Sequence, residues 1–114
     1  MSVKLTTRQV GDVTVVDAVG RITLGEGAST FRDTIRDLVS NGQKKLLLNL
    51  AEVSYIDSSG IGELVSGFTT VTNLGGQVKL LNLTKRVKDL LQITKLYTVF
   101  EVFDDEAAAI RSFS

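Results

Sequence analysis

The segment with the most chemical potential is Asp57-Ser58-Ser59-Gly60-Ile61-Gly62, where a carboxylate, two hydroxyls and two glycines fall within six positions. It follows an apolar run, Leu46 to Leu50, and precedes the helical stripe Ile61, Leu64, Val65, Phe68 and Val71. The loop feeding a helix from the carboxyl end of a parallel strand is where open α/β sheets place their sites. Two glycines in a first helical turn cost about 1 kcal/mol each relative to alanine, so intrinsic stability alone does not favour them. One reading makes Asp57 or Ser58 a plain N-cap, with the glycines allowing close packing on the sheet. The other presents an exposed Ser58 hydroxyl at the positive end of a helix, able to accept a phosphoryl group. The helix end would favour the added phosphate and Asp57 would oppose it, so modification is expected to change binding more than folding.

Other chemistry is narrowed by what the chain lacks. It has no Cys and no His. Disulfides, thiolate nucleophiles, zinc fingers, iron–sulfur clusters and imidazole-dependent hydrolysis are thereby excluded. Carboxylate sites for magnesium or calcium stay open in principle. The acidic cluster Asp104-Asp105-Glu106, however, lacks calcium-loop spacing and reads as a helix start. Gly25-Glu26-Gly27 and Gly60-Ile61-Gly62 both lack the third glycine of a dinucleotide loop, and no Gly-Lys-Ser/Thr occurs. No metal and no cofactor is expected.

The elements around the segment read as an alternating α/β chain. Val3 to Val10 and Val13 to Val19 form two strands about Gly11-Asp12, a hairpin signal of the type II′ kind. Gly25 and Gly27 mark a flexible loop before a helix carrying Ala28, Phe31, Ile35, Leu38 and Val39, which Asn41-Gly42 stops. Leu46 to Leu50 is almost continuously apolar, as expected of a strand covered on both faces, and a loop is expected after it. The second helix stops near Gly75-Gly76. Val78 to Leu83 is the next strand, completing a right-handed βαβ unit. Thr84 caps a third helix with Val87, Leu90 and Leu91. Tyr97 to Phe103 reads as an edge strand whose aromatics Tyr97, Phe100 and Phe103 belong to the core. A last helix starts at Asp104 to Glu106. The expected order is ββαβαβαβα: one α/β domain over 1–114 with a mixed, mostly parallel sheet covered by helices.

The 114 residues are 43% hydrophobic and 23% charged, in the globular range. Thirteen basic residues balance thirteen acidic ones, so no net field draws in nucleic acid. Lys85, Arg86 and Lys88 read as an exposed helix face. No apolar run is long enough for a membrane span. Met1-Ser2-Val3-Lys4 leads straight into strand-like sequence without a signal-like segment, so a cytoplasmic address is expected.

At Leu48-Asn49-Leu50, Val53 and Ile56-Asp57-Ser58-Ser59-Gly60-Ile61-Gly62 the sequence resembles the STAS family, in particular bacterial anti-sigma factor antagonists. The similarity continues through Gly75-Gly76 and the Val87 to Leu91 helix. The resemblance implies that a serine kinase, itself the anti-sigma factor and the binder of ATP, phosphorylates Ser58. It implies that the unmodified form binds this kinase and releases a sigma factor for transcription, and that a serine phosphatase resets the switch. Ser59 would cap or pack. Asp57 and Gly60 would shape the loop, and Ile61, Gly62 and Val65 would border the partner surface. Many antagonists carry an acidic Gly-Glu-Leu-Asp-like stretch where this chain has Gly20-Arg21-Ile22-Thr23-Leu24, and no proline stands at Thr84-Lys85 or elsewhere. Arg21 is thus a candidate selector of a different kinase or pathway.

Three readings compete. A phosphorylation-switched binding module needs no catalytic machinery and is the leading one. A constitutive STAS scaffold in a signalling or transport assembly would leave the serine unmodified. An enzyme using Asp57 and Ser58 is disfavoured by the missing histidine and the lack of a ligand set.

Overall fold

The computed structural model describes residues 3–113; Met1, Ser2 and Ser114, which the expected 1–114 span includes, lie outside the described residues. The chain runs β1 (Val3–Val10), β2 (Val13–Ile22), α1 (Glu26–Ser40), β3 (Lys45–Ile56), α2 (Ser58–Asn73), β4 (Gln77–Leu81), α3 (Lys85–Ile93), a 3-10 turn (Leu96–Thr98), β5 (Val102–Phe103) and α4 (Glu106–Ser112). The sheet order is β1-β2-β3-β4-β5. The β1/β2 hairpin is antiparallel, and β2/β3, β3/β4 and β4/β5 are parallel. Gly11 turns the hairpin at φ +61°. The expected order and mixed sheet are both present.

The period of two in β3 divides the core. Leu46, Leu48 and Leu50 join Phe31 and Ile35 of α1, Ile61, Leu64 and Val71 of α2, and Val87 and Leu91 of α3. Leu47 points the other way, against Val13, Val15, Ala109 and Phe113. Each such buried leucine contributes about 1.5–3 kcal/mol, so three helices on one face and α4 on the other follow from the strand's alternation. The last turn of α4 is tied down by Lys79, only 5% exposed, whose Nζ donates to Ser112 O and Ser112 Oγ at 2.9 Å each. The ends of α3 and α4 are capped as expected of their sequences. Thr84 Oγ1 accepts from the Val87 N–H at 3.3 Å, and Asp105 Oδ2 accepts from the Ala108 N–H at 3.0 Å.

Three expectations are corrected. The loop expected after Leu50 is strand as far as Ile56. The register against β2 passes from Asp17↔Asn49 to Val19↔Glu52, and from Gly20↔Val53 to Arg21↔Tyr55. β3 therefore bulges twice, which breaks the apolar alternation while keeping Val53 and Ile56 buried. The flexible loop at Gly25 and Gly27 is largely helix, because α1 starts at Glu26 and buries Gly27. A Cβ on Gly27 would lie 2.5 Å from Arg21 O, so the helix can start there only with a glycine. The expected edge strand from Tyr97 opens in the 3-10 turn, entered through Lys95 at φ +61°, continues irregularly over 99–101 and is strand only at Val102–Phe103. β4 offers β5 only Leu80↔Val102 and Leu81↔Phe103 to pair with. Of its aromatics, Phe100 is buried edge-on to Phe68, Phe103 is half-buried, and Tyr97 is 61% exposed rather than in the core.

Candidate functional site

β3 ends at Ile56 and α2 starts at Ser58, so a single residue, Asp57, makes the turn at the carboxyl edge of the sheet. Its extended backbone (φ −110°, ψ −173°) makes it the N-cap. The Gly60 N–H donates to Asp57 Oδ1 at 3.0 Å. The Leu24 N–H, from the β2–α1 turn, donates to Asp57 Oδ2 at 3.0 Å. One carboxylate thus satisfies a free helix N–H and pins a neighbouring turn. The Leu24 N–H does most to hold the Asp57 carboxyl below its ordinary pKa; burial opposes it less strongly, and the Gly60 N–H adds a smaller lowering.

Because folding depresses this pKa, the resulting stability is present above the unfolded value of about 4 and is lost as pH falls through the folded one. Asp57→Ala is expected to cost about 1 kcal/mol at neutral pH, as for other caps. Urea unfolding of both proteins at neutral pH and at about pH 2.5 checks this. A gap that stays constant between the two would remove the ionised cap from the account.

Ser58 is the first helical residue and is exposed; among the described residues its Oγ makes no hydrogen bond within the chain. Ser59 is half-buried, and the cap belongs to Asp57 rather than to either serine. Gly60 is buried, and a Cβ there would sit 2.1 Å from Ile22 O and 2.6 Å from Ile56 Cγ1. Gly62 is the opposite case: it is exposed, with nothing within 4 Å of a Cβ. Packing explains Gly60 and does not explain Gly62. Ile61 is 5% exposed and lies in the core, so its side chain supports the helix from beneath instead of bordering the surface. Val65 is half-buried against that core.

Residues that sequence reasoning passed over complete the surface. Leu24 is 79% exposed and is fixed beside Asp57 by its own N–H. Ile93 on α3 is 77% exposed. Between α2 and α3 lies an open hollow of about 450 Å³, walled by Tyr55, Ser58, Arg86, Asp89, Leu90 and Ile93. The one sequence signal for Leu24 is a large apolar residue in a glycine-flanked turn, outside any helix or strand period. Among the described residues no three acidic side chains gather closely enough to hold a metal ion, and no helix is long and apolar enough to cross a membrane. The arrangement offers a free hydroxyl, a helix N-terminus and apolar side chains for contact, with no base positioned on the serine.

The STAS domain model matches residues 4–109. The anti-sigma-B factor antagonist of Bacillus subtilis is 31% identical over 102 residues, covering 90% of this chain and 92% of that protein. A solved anti-sigma factor antagonist from Mycobacterium paratuberculosis superposes with a TM-score of 0.88 at 17% identity, covering 98% of this chain and 94% of that one. The Bacillus cell fate determinant SpoIIAA in its phosphorylated form gives a TM-score of 0.76 at 19% identity, covering 97% of this chain and all of that one (100%). At these identities the two solved structures establish a shared fold.

Proposed function

The chain belongs to the STAS domain family, and from that premise we propose that it is an anti-sigma factor antagonist switched by phosphorylation of Ser58. In its unmodified form it binds an anti-sigma factor that is also a serine kinase, freeing a sigma factor; a serine phosphatase restores that form. The observation that carries the reading is the exposed Ser58 hydroxyl, unbonded within the chain at the first position of α2. The Bacillus subtilis relative, which aligns along nearly its whole length, supports the antagonist role.

The chemistry needs nothing catalytic from this chain. Ser58 Oγ forms a bond to the γ-phosphorus of ATP held by the kinase, and the bond from that phosphorus to the β,γ-bridging oxygen breaks. ADP leaves, and the hydroxyl proton passes to a base of the kinase. What this chain supplies is access and a fixed pose: Asp57 sets the helix end, and buried Gly60 and Ile61 hold it against β2 and β3. Leu24 and Ile93 give a partner apolar contact around the serine, and Gly62 lets its backbone come close. A phosphate there adds about −1.5 to −2 charges to that contact surface. Leaving such a charge unpaired in an interface costs several kcal/mol, and about 5.5 kcal/mol of differential affinity converts a bound population into a free one.

Incubation with the cognate kinase and ATP, followed by mass-spectrometric mapping, is expected to place one phosphate on Ser58 and none on Ser58→Ala. Phosphate on Ser59 or elsewhere, or none with a kinase proven to bind the chain, would overturn the assignment.

A further inference from the structure

Two arginines meet at one aromatic ring beside the switch serine. Arg21 and Tyr55 are register partners on β2 and β3, with the guanidinium carbon 5.3 Å from the ring centroid. Arg86, from the first turn of α3, reaches the same ring at 4.2 Å. Among the described residues neither arginine forms an ion pair. Cation–π attraction of about 0.5–1 kcal/mol for each arginine at an exposed site holds both guanidinium groups near the ring. The nearby carboxylates are already engaged. Asp57 accepts from the Leu24 and Gly60 N–H groups, and Asp89 pairs with Lys85 at 3.0 Å. Arg86 is thus the one cation among the residues that wall the hollow with Tyr55, Asp57, Ser58 and Asp89, and it has no ion-pair partner among the described residues.

Resting on the reading of Ser58 as a phosphorylation site, we infer that Arg86, with Arg21 behind it on Tyr55, is the chain's own receiver for that phosphate, pairing with it across the hollow between α2 and α3. The guanidinium fork matches two phosphate oxygens, and stacking on Tyr55 holds its plane in advance. The phosphate, about −1.5 to −2 in charge, gives Arg86 the charge partner it lacks among the described residues. Closure of this pair covers Leu90 and Ile93, so modification removes apolar contact surface as well as adding charge. Arg86 is spent at the same time, and an acidic group on a partner can no longer use it.

Phosphoserine incorporated at position 58 during translation yields the modified full chain without a kinase. Its phosphorus-31 signal, followed from about pH 4 to about pH 8, is expected to titrate about half a pH unit or more lower than in an Arg86→Gln background, because the guanidinium favours the dianion. Arg86→Lys should fall between, and Arg21→Gln should shift it less. In wild type the Arg86 Nε–Hε resonance should move on modification. Matching phosphate titrations in wild type and Arg86→Gln would overturn the receiver. Binding of the same proteins to the purified kinase separates the two readings. Phosphoserine that leaves affinity intact defeats the switch itself, whereas lost affinity with matching titrations removes only the arginine pairing.

Discussion

Ser58→Asp should weaken binding to the anti-sigma kinase by about a hundredfold or more, equivalent to about 2.7 kcal/mol, while barely moving the unfolding midpoint. The asymmetry follows from position. Ser58 is exposed and makes no side-chain hydrogen bond within the chain, so the folded domain loses nothing when it is replaced. A carboxylate at the first position of α2 gains a few tenths of a kcal/mol from the helix dipole and loses a similar amount to Asp57 beside it. In the complex, that same carboxylate must give up water where exposed Leu24 and Ile93 offer apolar contact, and this desolvation costs several kcal/mol. Ser58→Ala should bind like the unmodified protein. Titration calorimetry with the purified kinase and a thermal melt of each variant check both halves. Undiminished affinity of Ser58→Asp would remove the charge argument, and a melting loss beyond about 5 °C would show that the serine is structural after all.

The second large effect separates two glycines that look alike in the sequence. Gly60→Ala places a methyl 2.1 Å from a backbone oxygen, Ile22 O, and 2.6 Å from Ile56 Cγ1. Relief requires α2 to lift from the carboxyl ends of β2 and β3, dragging the Asp57 bonds to Leu24 and Gly60 with it. A loss of about 3 kcal/mol or more is expected, a large part of a typical domain's stability. Gly62→Ala meets nothing within 4 Å, and alanine's helix propensity should stabilise the chain by about 0.5–1 kcal/mol. Its methyl nevertheless stands on the exposed face one turn from Ser58, where it would hold a partner's backbone away. Denaturant unfolding of both variants, with kinase affinity for Gly62→Ala, tests the pair. A more stable Gly62→Ala that binds as tightly as wild type would take Gly62 out of the interface.

Much of the fold could be read without coordinates because its signals are local. The Gly11 hairpin, the 3.6-residue stripes of α1 to α3, the Thr84 cap and the acidic start of α4 each lie within one element. The position of Ser58 at a helix mouth was legible for the same reason, since an apolar strand, an aspartate and small residues follow one another directly. The misreadings came where pairing overrode pattern. Glu52 and Ser54 broke the alternation of β3, yet β2 carried the strand through its bulges to Ile56. The aromatic run from Tyr97 read as strand, but the chain leaves the 3-10 turn and reaches β4 only at that strand's last two residues, Leu80 and Leu81.

What the sequence alone determined is the order of elements, the helical stripes that face the core and the place of an aspartate and two serines at the head of α2. All of these depend on neighbours a few positions apart. That Asp57 caps and Ser58 is left exposed was decided by the structure. Only the tertiary structure decided that Gly60 is compulsory and Gly62 is not, because the atom that decides it, Ile22 O, belongs to another strand. It alone turned Ile61 inward, pinned exposed Leu24 to Asp57, and brought Arg21 and Arg86 onto Tyr55. Contacts of that kind are fixed by how strands register and helices cross, and a linear pattern of residue types does not encode which distant atoms will meet.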